Sequence, residues 1–398
     1  MALRSVSNIV CSGDFTVCIN NDKNVVSFGI SPYCAHGHEE DNVFPPKIIS
    51  SLNHIISISV GLDHCACLDN DGNVFTIGSN EYAQLGIGDK GISQTHIPQK
   101  VNLPPCAQIS CGYDFTMCLS ENGEIYSFGY NRNGQLGVEN NEESYNSPQL
   151  ISSLKDVEFI ECGGYHTFCK TLNNEIFCWG YNKYGQLGLE NNDNQNTPIL
   201  CSSLSNEDVI DIKCGDYHTL VLTSNGDVLS CGTNAYGQLG RETDDFFSSS
   251  FQKIENLPEI TRIECGYDHS LCIDINNDLY VFGSNEHGQL GLGDTDNRNK
   301  PIKHPSLSNI IDISKGGKHS FVKTSNNEIY AFGYNLYSQL GIKTEYKYQI
   351  TPIRVFEDNE DIWFSNINKS KAKSARSILP RPSNEDDNSP PKKKQKTK

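Results

Sequence analysis

Gly134-Gln135-Leu136-Gly137 returns along this chain as Gly185-Gln186-Leu187-Gly188, Gly237-Gln238-Leu239-Gly240 and Gly288-Gln289-Leu290-Gly291. Softened copies stand at Ala83-Gln84-Leu85-Gly86 and Ser338-Gln339-Leu340-Gly341. A fixed period of about 51 residues makes the chain an array of one supersecondary unit. A second landmark fixes the count: Gly29, Gly78, Gly129, Gly180, Gly232, Gly283 and Gly333 each close a short apolar run, so there are seven units. The first lacks the signature and reads Ser31-Pro32-Tyr33-Cys34-Ala35-His36-Gly37-His38.

Within the fourth unit, Phe159–Cys162, His166–Thr171, Glu175–Gly180 and Thr197–Leu200 are short runs separated by Gly, Asn and Asp. Runs of this length, rich in β-branched and aromatic residues and bounded by turn formers, read as strands. Asp71-Gly72, Asn122-Gly123 and Asn225-Gly226 suit the positive φ of tight hairpins. Four strands in each of seven units predict an all-β fold, a seven-bladed β-propeller, with repeats near 8–50, 51–102, 103–153, 154–204, 205–257, 258–307 and 308–356. The last fourth-strand motif, Thr351-Pro352-Ile353-Arg354-Val355, is expected to complete the blade begun by the N-terminal strands, a one-plus-three closure. Residues 357–398 are polar and rich in Ser, Lys and Pro, which predicts a disordered basic tail around a short apolar island, Ile362-Trp363-Phe364.

The formal charge is −17. The tail holds ten Lys/Arg against seven Asp/Glu, so the repeats are more acidic than the whole. An acidic body gains little from phosphate backbones and suits basic partners, so direct nucleic-acid binding by the propeller is not expected. With no apolar run of membrane-spanning length, an intracellular monomer is expected. The sixteen cysteines fall in register: Cys11, Cys111, Cys162, Cys214 and Cys265 at one position, Cys18, Cys67, Cys118, Cys169 and Cys272 seven residues on. No Cys-x-x-Cys occurs, so they read as small buried hydrophobes, with no metal and no cofactor expected. His64, His166, His218, His269 and His319 share a position that Phe15 and Phe115 fill elsewhere, which marks a packed site. No nucleophile–base pair can be assembled, so no catalytic residue is assigned.

Cys-Gly-x-x-His-Thr, then Tyr-x-Phe/Trp-Gly-x-Asn, then Gly-Gln-Leu-Gly, then Pro, resembles the regulator of chromosome condensation repeat across residues 8–356. The position before the histidine holds Asp14, Asp63, Asp114, Tyr165, Tyr217, Asp268 and Lys318, with Asp216 one residue earlier in the fifth unit. By register these residues form a ring of loops on one face. They either serve turn geometry through local amides or meet a basic protein patch.

The resemblance adds that chromatin-associated members use such loops to contact a Ran-type small GTPase as guanine-nucleotide exchange factors. It makes Asp63, Asp114, Asp216 and Asp268 candidates for that contact. Exchange members also carry a wedge in place of one signature loop and a basic N-terminal arm. Here the departing loop, Ser31 to Pro46, is rich in His, Glu and Asp and has no apolar wedge beyond Val43-Phe44, and only Arg4 precedes the repeats. The loop from Gly240 to Phe251, with Phe246-Phe247, is a second place for a partner contact. The ultraviolet-sensing members need clustered tryptophans, and this chain has only Trp179 and Trp363.

The expected function is an exchange factor or regulator of a Ran-like GTPase, with a non-catalytic interaction scaffold, including adapter roles, as the alternative. Lys392, Lys393, Lys394, Lys396 and Lys398, following Pro390-Pro391, resemble a nuclear-import signal for an import receptor. The expected compartment is the nucleus, with the cytoplasm as a second.

Overall fold

The computed structural model describes residues 6–20, 22–89, 91–139, 142–243 and 245–355. They form seven four-stranded antiparallel sheets, each in simple sequence order. The first blade runs through Val6–Cys11, Phe15–Asn20, Val25–Ile30 and Asn42–Ile48. The innermost strands come first in each unit, since their ends line the axis. Second strands are almost wholly buried, as in His64–Asp69 and His218–Thr223. Fourth strands such as Gln195–Leu200 form the half-exposed rim. The one helical element among the described residues is a single 3₁₀ turn, Ser202–Leu204.

The expected one-plus-three closure does not occur. The last blade is made of Ile310–Lys315, His319–Thr324, Ile329–Tyr334 and Tyr348–Val355, all from the C-terminal repeat. Thr351–Val355 pairs with Ile329–Tyr334, not with an N-terminal strand. Side chains close the ring instead. Cys11, Cys18, Val26 and Phe28 of the first blade pack with Phe321, Ala331, Leu340 and Val355 of the last. Thr16 Oγ1 donates to the Gln339 carbonyl at 2.7 Å, and Ser314 Oγ donates to the Ile9 carbonyl.

The signature loop is the joint between blades. In the second blade, Asn80 Oδ1 accepts the Leu85 amide at 3.1 Å and Gln84 Oε1 accepts the Tyr82 amide at 2.9 Å, so the loop is tied to itself. The leucine is buried, and the Gln84 carbonyl accepts Thr116 Oγ1 of the next blade at 3.0 Å. The last glycine of the motif has positive φ and faces a neighbouring aromatic. At Gly137 an added Cβ would lie 2.8 Å from Trp179 Nε1, which itself donates to the Gln135 carbonyl at 3.0 Å.

The histidines complete the same joint. His64 Nε2 bonds Thr116 Oγ1 at 2.9 Å, His166 bonds Thr219 at 3.0 Å, His218 bonds Ser270 at 3.1 Å, and His269 bonds Ser320 at 2.9 Å. His319 reaches Thr16 at 3.3 Å across the closure. Each hydroxyl spends its proton on a glutamine carbonyl, so Nε2–H is the donor and the rings are neutral. Their Nδ1 atoms are buried without a partner. The glycine three residues earlier makes room for the ring: an added Cβ at Gly266 would lie 1.9 Å from His269 Cε1. Between the first two blades the whole relay is replaced by apolar Phe15, Ala35 and Cys65, which share one buried cluster.

The thiols follow the expected pattern of buried strand residues. Cys111 Sγ donates to the Ser59 carbonyl and Cys265 Sγ to the Lys213 carbonyl of adjacent blades, at 3.5 and 3.4 Å. Burial pushes the Cys11 and Cys111 thiols up to about 12, so they are not nucleophiles.

Gly266→Ala should destabilise the protein by about 3 kcal/mol through this collision. Gly88→Ala, with open space around it at φ 76°, should cost only about 1–2 kcal/mol from its left-handed backbone; urea unfolding of both variants gives the comparison. Burial holds His64 near 4 and His218, His269 and His319 near 3, below the ordinary 6.5. A lowered folded-state value means stability is intact above pH 6.5 and is lost as pH falls, by about 1.4 kcal/mol per unit for each histidine. The melting temperature should therefore drop steeply from pH 6.5 to pH 4, and His269→Phe, the residue type already used at position 115, should flatten that slope. A melting temperature unchanged across the range would contradict the assignment.

Candidate functional site

Two loop sets share one face: the link from first to second strand, at the axis, and the signature loop, around it. The axial loops are stitched together from blade to blade. Ser12 Oγ donates to the Leu62 carbonyl at 2.8 Å. Leu62 N bonds Tyr113 O, Tyr113 N bonds Gly164 O, and Gly164 N bonds Gly215 O. Asp216 N bonds Tyr267 O, Tyr267 N bonds Gly317 O, and Gly317 N returns to Ser12 O. The circuit visits all seven blades, and it fixes the loops without any shared strand.

One repeat position in this circuit holds Gly13, Leu62, Tyr113, Gly164, Asp216, Tyr267 and Gly317. Tyr113 and Tyr267 meet edge to face over the axis, ring centroids 5.5 Å apart. The glycines are the space they occupy: an added Cβ at Gly317 would lie 2.5 Å from Tyr267, and one at Gly164 would lie 3.4 Å from Tyr113. The pocket on the axis is lined by these two tyrosines, Asp216 and the Cys-Gly ends of the first strands. Tyr113 and Asp216 are hydrogen-bonded within it, and it offers no metal cluster among the described residues.

The eight residues assigned from the sequence lie in these axial loops but differ in depth. Asp14 and Lys318 are exposed, while Asp63, Tyr165, Tyr217 and Asp268 are half-buried. Asp114 and Asp216 are buried. Two of the acids are held by the preceding blade's signature glutamine: Gln84 Nε2 donates to Asp114 Oδ1 at 3.4 Å and Gln238 Nε2 to Asp268 Oδ1 at 3.1 Å. Where tyrosine replaces the acid, at Tyr165 and Tyr217, the Nε2 atoms of Gln135 and Gln186 have no partner. Lys318 stands between Asp14 and Asp268 and counters the burial that raises both carboxyls. Asp268 is pushed up to about 6 by burial, with Glu286 adding to the rise.

Single-position reading gave Tyr165 and Tyr217 but missed the tyrosines they pack against. Tyr82–Tyr130, Tyr130–Tyr165 and Tyr113–Tyr165 centroids are 5.1, 6.2 and 5.2 Å apart, a continuous track from rim to axis. Tyr181, Tyr184 and Tyr217 form a second cluster, and His287, Tyr334 and Tyr348 a third. The tyrosine two residues before Gln in four of the six signature copies, Tyr82, Tyr184, Tyr236 and Tyr337, was the available signal.

The blade-one loop does not project as a wedge. Cys34 takes φ 60° as Ala83 takes 67°, so the signature turn is kept with His36 in the leucine place. His36 is buried, its Nε2–H donates to the Asp41 carbonyl at 3.2 Å, and Val43 is buried in the fourth strand. Phe246 and Phe247 stand 48% and 40% exposed on the outer part of the same face. The island 362–364 and Lys392, Lys393, Lys394, Lys396 and Lys398 lie outside the described residues.

Fold and face together define a seven-bladed propeller with an acidic, tyrosine-bearing mouth. The RCC1-like domain model matches residues 1–318, and the chain belongs to that family. It is 38% identical over 199 residues to the probable E3 ubiquitin-protein ligase HERC4 of Homo sapiens, covering 49% of this chain and 19% of that protein. It is 34% identical to human HERC3 over 76% of this chain and 29% of that one. The chain thus spans less than a third of the length of these relatives. Among solved structures it is similar in fold to Prp20p of Saccharomyces cerevisiae, with TM-score 0.73 and 22% identity over 81% of this chain and 84% of that one. Among the described residues no helix is long and apolar enough to cross a membrane.

Replacing Lys318 with Met should move the Asp268 carboxyl titration, followed by carbon NMR, upward from about 6 and raise Asp14 with it. Titrations that stay in place would show that Lys318 does not compensate these two acids.

Proposed function

We propose that the channel-mouth face binds a basic surface of a Ran-type small GTPase and promotes release of its nucleotide. The supporting observation is the gathering of Asp14, Asp63, Asp114, Asp216 and Asp268 with a tyrosine track in loops fixed by the backbone circuit. Acid and tyrosine on a rigid platform give steering and adhesive area to a cationic partner. The structural relative Prp20p is described with binding properties to Gsp1p and histones, and yeast RCC1 (Prp20) is described bound to Kap60. Exchange asks for no bond-making residue. It asks that the GTPase be held more tightly empty than loaded, so that binding and nucleotide release are coupled. On the same reading the lysines of residues 392–398 engage an import receptor and bring the protein to the nucleus.

A second reading has its own support. The blade-one loop keeps the ordinary turn and offers no wedge, and the HERC relatives, named probable ubiquitin ligases, match over a minor part of their length. A scaffold propeller that presents the face to a protein partner without exchange fits both facts.

Release of labelled GDP from a Ran-type GTPase separates the two. Micromolar protein should accelerate release at least about tenfold, the equivalent of 1.4 kcal/mol. Asp63→Ala and Asp268→Ala should each lower that gain while leaving the melting temperature near the parent's, since Gln135 and Gln186 already tolerate an unpaired amide. No acceleration, with a partner retained whatever the nucleotide, would leave the scaffold.

A further inference from the structure

The tyrosine track is open to more than a GTPase. Tyr82, Tyr130 and Tyr165 are half-buried, so part of each ring reaches solvent. Successive rings from Tyr82 through Tyr130, Tyr165 and Tyr113 to Tyr267 are 5.1–6.2 Å apart, each turned 63–88° to the next. Glu81 is exposed beside Tyr82, Asp114 lies close to Tyr165, and Asp63 close to Tyr267. Aromatic faces bordered by carboxylates receive lysine and arginine: the ammonium or guanidinium is drawn to both, and the alkyl stem lies along the ring.

The same chain carries a matching segment. Between Lys392 and Lys398 there are five lysines and no acid. The last described strand ends at Val355, on the face opposite the mouth, because Val355 pairs with Ile329 and Tyr348 with Tyr334. Thirty-six residues lie between Val355 and Lys392, enough to span up to about 120 Å when extended. A path over a rim of roughly 20 Å and across a disc of roughly 40 Å, judged from strand length and spacing, is well within that reach. Tethering also holds the segment near the face at an effective concentration on the order of millimolar.

We propose that residues 390–398 dock in cis on the track from Tyr82 to Tyr267, with lysines paired to Glu81 at one end and Asp63 at the other. The contact covers the face proposed above for a partner, and it withholds the same lysines from an import receptor, so that either partner must displace the segment. It goes beyond the exchange reading and requires no GTPase.

Zero-length carbodiimide cross-linking of the full chain, dilute and at low salt, tests the contact directly by joining a lysine amine to a carboxylate in salt-bridge range. Mass spectrometry should find amide links from Lys392–Lys398 to Glu81 or Asp63, within one copy in an isotope-mixed sample. The links should vanish at about 0.5 M salt, where the screening length is a few ångströms. Tyr82→Ala with Tyr130→Ala should reduce them several-fold; Glu81→Gln with Asp63→Asn makes the same demand should the tyrosine variant fail to fold. Links confined to acids of the far face such as Glu121 and Glu175, links only between copies, or none at all, would overturn the proposal. Because no GTPase is present, such a failure leaves the exchange reading untouched, and a lack of exchange activity leaves the docking intact.

Discussion

A buried hydroxyl at six of the seven joints holds this ring together. Thr116, Thr219, Ser270, Ser320 and Thr16 each give a proton to the carbonyl of the preceding blade's signature glutamine and take one from its histidine. A buried hydroxyl or carbonyl is costly to leave unpaired, and at these joints the two are satisfied together or absent together, while the histidine Nδ1 atoms stay unpartnered. Where the first two blades meet, histidine, glutamine and hydroxyl are all gone, replaced by Phe15, Ala35 and Cys65. Where only the histidine is gone, at Phe115, Thr167 still bonds the Gln135 carbonyl at 3.3 Å. Hydroxyl and glutamine are thus kept or lost together, although about 30 positions separate them along the chain, and the histidine joins them in five of the six joints that have them.

The same glutamine links architecture to surface chemistry. Its Oε1 ties down its own loop, its carbonyl takes the hydroxyl of the next blade, and in two blades its Nε2 holds the aspartate at the mouth. Asp114 and Asp268 are therefore placed by the neighbouring blade, and that part of the mouth is set by joints buried beneath it. Below the mouth, Tyr113 and Tyr267 close the axis because glycines at 13, 164 and 317 leave them room.

Seven copies made the period, the strand order and the turn residues legible, because any one irregular repeat is outvoted by the rest. The joint role of the histidines was visible in their exchange with phenylalanine. Closure was misread because Thr197-Pro198-Ile199 and Thr351-Pro352-Ile353 look alike, and an outer-strand motif does not say which sheet it joins; hydrogen bonding to Ile329–Tyr334 decides it. Register placed Asp14, Asp114 and Asp216 in equivalent loops but said nothing of depth, which depends on what the adjacent blade lays over each. The tyrosine track escaped for a related reason: Tyr82, Tyr130 and Tyr165 come from three different positions of three different repeats, and only the curvature of the ring unites them.

The joint between the last blade and the first uses the same three groups as those inside the chain, with Thr16 meeting Gln339 and His319. No strand is borrowed across it, so every blade is an uninterrupted stretch of sequence. The disc is thus a necklace whose clasp is made like its other links. Its beginning is a matter of where the gene is read, and a rearranged gene opening at another gap between blades would encode the same seven sheets and the same mouth.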